Sequence, residues 1–191
     1  MSTIADRPLR ADARRNREKV LAAAGAAFGE SGFEAQVEDI ARRAGVGVGT
    51  VYRHFPTKDA LVDALAEAHF GQLADLVEAA LAQEGDPWVI FTDTIWKAAA
   101  PAVADVGSCE IIAGHPRAVD LAALNRKRLE KAAETLIARA KAAGTMRADA
   151  AVDDVRTIMC GFGHIAAAQR AGAPLSWERY LTIALDGLRA R

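Results

Sequence analysis

A chain of 191 residues is long enough for one or two compact units with a sizeable core, and its richness in alanine over β-branched and aromatic residues favours helix throughout. Lysine and arginine number 24 against 25 aspartates and glutamates, a formal net charge of −1, so bulk electrostatics do not announce a nucleic-acid binder. The charged N-terminus lacks an apolar signal segment and no uninterrupted apolar run could span a bilayer, which points to a soluble, cytoplasmic protein with no membrane partner.

Residues 1–19 carry Arg7, Arg10, Arg14, Arg15, Arg17 and Lys19 against Asp6, Asp12 and Glu18. Such an arm suits phosphate contact beside a DNA-binding element, while a solvated, frayed terminus is an equally good reading of residues 1–12. A first helix is predicted over about 13–30, with Leu21, Ala24 and Phe28 as its buried stripe and Gly32 as its end. The stretch 37–55, VEDIARRAGVGVGTVYRHF, then organises the chain. Val37, Ile40, Ala41 and Ala44 recur at helical steps, Glu38 and Asp39 open that helix, and Arg42 and Arg43 close it, the order a helix dipole favours. Gly45 falls where a left-handed residue ends a helix, and a Gly-Val-Gly turn leads into a second short helix through His54. That is a helix-turn-helix spacing, with small Ala41 at the crossing and Val51 turned inward. Gly47 and Gly49 leave the N-terminus of the second helix without bulk, so its N–H groups can approach a phosphate. Thr50, Tyr52, Arg53 and His54 are the side chains it offers to DNA; a generic helix hairpin with a solvated face would show the same pattern.

Pro56 stops the reading helix and Thr57 caps a long fourth helix through about residue 83. Asp86 and Pro87 open a fifth, apolar nearly all round, which Pro101 bends or ends. A short sixth helix over 108–113 precedes a Gly114-His115-Pro116 corner, a seventh is predicted over 117–143, an eighth over 152–171, and a ninth follows the Ser176 cap. The last two carry more apolar surface than one buried stripe needs, and Gly161, Gly163 and Ala166 to Ala168 form a small-residue face. Packing within the monomer and docking of a second chain both account for that face. The expectation is an all-α protein of about nine helices, divided into residues 1–56 and 57–191.

No chemistry-bearing constellation stands out. The glycines at 45, 47 and 49 follow a helix rather than a strand, which removes a dinucleotide loop. His54, His69, His115 and His164 lack helix-spaced carboxylates, and no nucleophile elbow occurs, so neither an enzyme, a metal site nor a cofactor is expected. Cys109 and Cys160 lie far apart in apolar surroundings and read as reduced core thiols.

Three elements in unbroken register carry a resemblance: REKVLAAAGAAFGESGF, the VEDIARRAGV helix, and GTVYRHFPTKDAL. Together they closely resemble the DNA-binding domain of TetR-family transcriptional regulators, across about the first third of the chain. Gln36 and Gly47 depart from the family pattern, standing where it usually has a threonine or serine cap and a serine. The resemblance implies a homodimer on a palindromic double-stranded operator, its reading helices one turn of DNA apart, and a repressor released by a small-molecule effector. It places Tyr52, Lys58 and the backbone near Gly47 on phosphate, and Gly49, Thr50, Arg53 and His54 nearest base edges. Arg15 and Arg17 fall on backbone or minor groove, and Gln36 lies at the same surface. It also implies a pocket among helices four to seven for an apolar or aromatic effector, lined by His69, Phe70, Trp88, Phe91, Trp96, Ile112, His115 and Phe162, although large aromatics fill ordinary cores as well. The dimer contact would use Val155, Met159, Gly163, Ala166, Ala167, Trp177, Leu181, Ala184 and Leu188. A ligand-sequestering or protein-docking helical module with a vestigial DNA head is the alternative.

Overall fold

The computed structural model describes residues 6–104 and 106–191, with side chains left undescribed for 6–11, 104, 106–108 and 110; the arm residues Arg7 and Arg10 are among these. Ten α-helices and one 3-10 turn make up the described residues. Helix α1 (Asp6–Ser31) begins earlier than periodicity suggested, because Pro8 sits in its first turn, where a missing N–H is cheap. After the 3-10 turn Gly32–Glu34 come α2 (Val37–Ala44) and α3 (Val48–His54). Helix α4 (Lys58–Leu81) starts as expected, the Thr57 hydroxyl accepting from the Ala60 N–H at 3.1 Å. In α5 (Pro87–Ala104) the Asp86 carboxylate accepts from Trp88 and Val89, and the helix runs on through Pro101.

Helix α6 (Val106–Ala113) leads to the corner at His115. The single seventh helix expected from sequence is two, α7 (Pro116–Leu121) and α8 (Ala123–Ala142), bent at Ala122. The bend follows from two packing duties. Ala118 and Ala122 are drawn into the core around α1 to α3, whereas Ala132 and Leu136 of α8 pack into a different core. Helices α9 (Val152–Arg170) and α10 (Trp177–Leu188) follow, the second capped by Ser176 as expected, its hydroxyl accepting from Arg179 N–H at 3.1 Å.

Two hydrophobic cores result, and the long α4 threads both. The first joins Val20, Ala24 and Phe28 of α1 to Ile40, Val51, Phe55 and Leu61, and is completed by Ile112, Ala118 and Ala122. The expected boundary after residue 56 therefore divides the sequence but not the packing. The second core joins Val77, Phe91, Ile137, Phe162, Leu181 and Leu185. Helices α4 and α8 lie against each other, held by Arg128, which donates to Glu78 at 2.6 Å and to Asp75 at 2.8 Å. Those two carboxylates hold the guanidinium even further above its already high proton affinity.

The α9–α10 pair corrects several expectations. Leu181, Leu188 and Ala166, expected at a dimer contact, are buried by their own chain and belong to the second core. Cys160 is exposed rather than a core thiol. The close approach between the two helices sits at Gly161, where the Tyr180 hydroxyl donates to the Ile158 carbonyl at 3.1 Å. A Cβ at Gly161 would meet that hydroxyl oxygen at 2.1 Å, whereas one at Gly163 would meet nothing within 4 Å.

Gly161→Ala is accordingly expected to lower the urea midpoint. Overpacking of about 1–3 kcal/mol outweighs the gain of up to about 1 kcal/mol that alanine has over glycine inside a helix. An equal or higher midpoint would mean that Tyr180 swings aside without cost.

Candidate nucleic-acid interface

The hairpin of α2 and α3 owes its shape to one residue. Gly45 has φ +66, and the Val46 N–H returns to the Ala41 carbonyl at 3.0 Å, closing α2. Gly47, extended at φ −71 and ψ 147, then caps α3 without a side-chain bond, its carbonyl accepting from Thr50 N–H at 2.8 Å. Val51, fully buried, anchors the inner face of α3. The opposite face is open. Gly47, Gly49 and Arg53 are exposed, Thr50 and His54 half-buried, and Tyr52 is 46% exposed despite its size.

Charge around this face is selectively engaged. Arg43 forks onto the Glu30 carboxylate of α1, at 2.8 Å for the longer bond, and so ties α2 to α1; the same contact holds the Glu30 carboxyl below its usual range. Arg42 pairs with Asp39 and Arg15 with Asp12, each within its own helix. Arg17 lies with its guanidinium carbon 5.3 Å from the Phe55 ring centroid, beside the end of α3. Arg53 enters no ion pair among the described residues, and the first turn of α3 has no acidic side chain to oppose an incoming phosphate. Gln36 does not cap α2; its amide donates to the Glu34 carbonyl at 2.8 Å instead.

Lys58 is more committed than its place in the sequence suggests. Its ammonium donates to the Phe33 carbonyl at 2.7 Å and stands 5.0 Å from the Phe33 ring centroid. On sequence grounds a lysine in that first turn brings α4 no stability. The structure gives it a local partner.

The residues expected to line an effector pocket are separated by the structure. Trp88, Phe91 and Phe162 are buried in the second core, and Trp96 packs on Trp177 with ring centroids 5.7 Å apart. Phe162 meets the same Trp177 edge-on at 5.6 Å, so a residue expected at the dimer contact belongs to this aromatic group. Ile112, in contrast, belongs to the first core, with Phe70 packed against it. His115 packs toward the head: its ring lies 5.0 Å from Phe33, and its Nδ1–H donates to the Ile111 carbonyl at 2.7 Å. His69 lies edge-on to Phe70 at 5.4 Å. Two shallow clefts, of about 270 and 350 Å³, open elsewhere, beside Gly85 and Arg139 and beside Glu134 and Lys141. Sequence reasoning missed the role of Phe33, which meets both Lys58 and His115; its presence in the F-x-x-x-G-F ending of α1 was the available signal, but a contact across 82 positions has no local pattern.

A glycine-hinged pair of short helices, closed by a third and mounted on a helical body, is the architecture of a helix-turn-helix DNA-binding regulator. Comparison with known proteins narrows the class. Residues 20–65 match the family model for bacterial regulatory proteins of the tetR family, and residues 86–190 match the model for the C-terminal domain of SbtR-like transcriptional regulators. The crystal structure of a TetR transcription regulatory protein from Mycobacterium vanbaalenii is 35% identical, with a TM-score of 0.69 over 96% of this chain and 100% of that one. The TetR transcriptional regulator SCO0520 from Streptomyces coelicolor is also 35% identical, with a TM-score of 0.68 over 91% and 98%. The uncharacterised HTH-type transcriptional regulator YvdT of Bacillus subtilis (strain 168) is 35% identical over 74 residues, which span 38% of each chain. The protein belongs to the TetR family of transcriptional regulators.

Two substitutions test the hinge. Gly45→Ala should cost about 1–2 kcal/mol in urea unfolding, the strain of a left-handed non-glycine residue. Gly47→Ser should gain a few tenths of a kcal/mol, since serine is the better cap and the site has room for its Cβ. Equal midpoints for Gly45→Ala and wild type would show that the turn tolerates a different backbone.

Proposed function

We propose that the protein is a homodimeric repressor that reads a palindromic operator through α3 and is released when a small apolar or aromatic molecule binds its helical body. The observation that carries this reading is the open face of α3. Its backbone N–H groups are flanked by glycines, Arg53 is without an ionic partner among the described residues, and Tyr52 is exposed. The match of residues 20–65 to the tetR-family model supports a working DNA-binding head, so the ligand-sequestering alternative is not favoured. Thr50, Arg53 and His54, with the backbone at Gly49, take the base edges. Tyr52, Lys58 and the N–H groups after Gly47 take phosphates, and Arg15 and Arg17 the flanking backbone or minor groove. Gln36, bonded to Glu34 beside the same surface, has no further role in this reading.

Dimerisation through α9 and α10 is supported by what those helices leave outside. Ile183 of α10 is 56% exposed, Leu175 in the connecting loop is 44% exposed, and Val155, Met159, Gly163, Ala167, Trp177 and Ala184 are half-buried on the two helices. An effector would enter among the aromatic rings of the second core, where half-exposed Trp96 and Trp177 are its point of access. Its arrival is transmitted through the α6–α7 corner, because Ile112, Ala118 and His115 touch the head directly.

Footprinting of the purified protein on genomic fragments, followed by binding to the protected duplex, tests the reading. Thr50→Ala and Arg53→Ala should each cost on the order of 1–3 kcal/mol and relax preference at one base position. Unchanged discrimination in both would overturn the base-reading assignment. Lys58→Ala should weaken binding on all sequences and lower the slope of log K against log salt by about one unit. A weakened affinity with the slope intact would instead make Lys58 a brace for Phe33 and not a phosphate contact.

A further inference from the structure

The exposed stripe of α9 holds a pair of side chains unused by the regulator reading. Cys160 and His164 lie four residues apart on one helix, so their side chains stand on the same face, and both are exposed. The His164 Nδ1 is 2.9 Å from the Cys160 carbonyl oxygen. A carbonyl can only accept, so the proton is on Nδ1 and the Nε2 lone pair is left facing outward. Metal-bound histidines are commonly held by just such a bond from the other ring nitrogen. The charged side chain nearest along this face, Arg156 one turn before Cys160, is engaged by Glu130 at 3.2 Å and by Asp153 at 2.8 Å. Tyr180, on the adjoining helix α10, keeps its phenol protonated through burial and the proximity of Cys160, and adds no charge.

Among the described residues no three potential ligands are grouped within one chain. One thiol and one imidazole are half of a tetrahedral Cys2His2 set. We propose that Cys160 and His164 form a half-site for a divalent transition metal of the zinc type, completed by the same pair on a second copy of the chain. The inference rests on the dimer reading given above, and adds to it a metal that bridges the α9 helices. On binding, each Cys160 thiol releases its proton to solvent and its sulfur bonds the metal, while each His164 binds as neutral imidazole through Nε2. No oxidation or reduction takes place.

Co2+ added to the metal-free full-length protein reads thiolate ligation directly. The expected result is a thiolate-to-cobalt charge-transfer band together with the intense visible absorption of a four-coordinate ion. Both should saturate at one Co2+ per two chains and be abolished by Zn2+. Cys160→Ser should remove the charge-transfer band, and His164→Ala should weaken apparent affinity by more than about tenfold. Both positions are exposed, so the helical circular dichroism should not change. Absence of the band in the wild type, its survival in Cys160→Ser, or unaltered affinity in His164→Ala would each overturn the site. Sedimentation of the same samples separates this from the dimer reading. A metal-free dimer without the band overturns the metal site alone. A monomer that takes one Co2+ per chain through Cys160 overturns completion by a second copy, and a monomer that binds none overturns both.

Discussion

A three-helix head in which two helices are this short cannot bury enough apolar surface to stand alone with any margin, since small units cover a smaller share of their unfolded surface than large ones do. This head meets that constraint by borrowing. Leu61, Val62 and Ala66 of α4, and Ile112, Ala118 and Ala122 of α6 to α8, finish the core begun by Phe28, Ile40 and Val51. A DNA-reading hairpin built this way cannot hold its position independently of the body. Any shift of the α6–α7 corner changes the packing of the hairpin, because packed cores rearrange between discrete states and do not deform smoothly. The polar contacts at the same junction point the same way. Phe33 meets both the Lys58 ammonium and the His115 ring, and Arg117 of α7 reaches Asp63 of α4 at 3.4 Å.

What the sequence made legible is what local physics dictates. The Thr57, Asp86 and Ser176 caps, the left-handed Gly45 and the helical period of Val37, Ile40 and Ala44 each depend on neighbours within a few residues, and each appears where expected. Start points and bends were less legible. Alanine at 122 is a good helix former, and only the pull of two separate cores bends the chain there. The faces of α9 and α10 were harder still. Both helices are apolar on more than one side, so periodicity identifies the stripes without saying which one the monomer keeps. The structure keeps Ala166, Leu181 and Leu188, and leaves Leu175, Ile183 and Cys160 outside.

The near-zero net charge also becomes intelligible. Several basic side chains serve as local braces: Arg43 on Glu30, Arg128 on Asp75 and Glu78, Arg147 on Asp149 and Arg156 on Glu130. Attraction for a polyanion then depends on where cations are left unneutralised and not on their total. Arg53, in the last turn of α3 on its open face, is such a cation among the described residues, and the first turn of the same helix carries no acid. Composition averaged over the chain conceals this, because the acids that balance the count lie mostly on the body.

Lys58 brings the two themes together. A bond to the Phe33 carbonyl looks at first like a reason to exclude it from DNA, since a sequestered ammonium cannot also neutralise a phosphate. An ammonium has three N–H donors, however, and the Phe33 carbonyl takes one. The remaining two point away from a half-buried stem whose freedom has already been surrendered to the Phe33 ring. Ordering a free lysine on a phosphate costs rotamer entropy at the moment of binding; ordering it in advance moves that cost into folding. In the repressor reading, then, the brace and the phosphate contact are compatible uses of one side chain. In that reading phosphate affinity also responds to His115, whose ring packs on Phe33, because a shift of residue 33 as a whole moves the carbonyl that holds the ammonium.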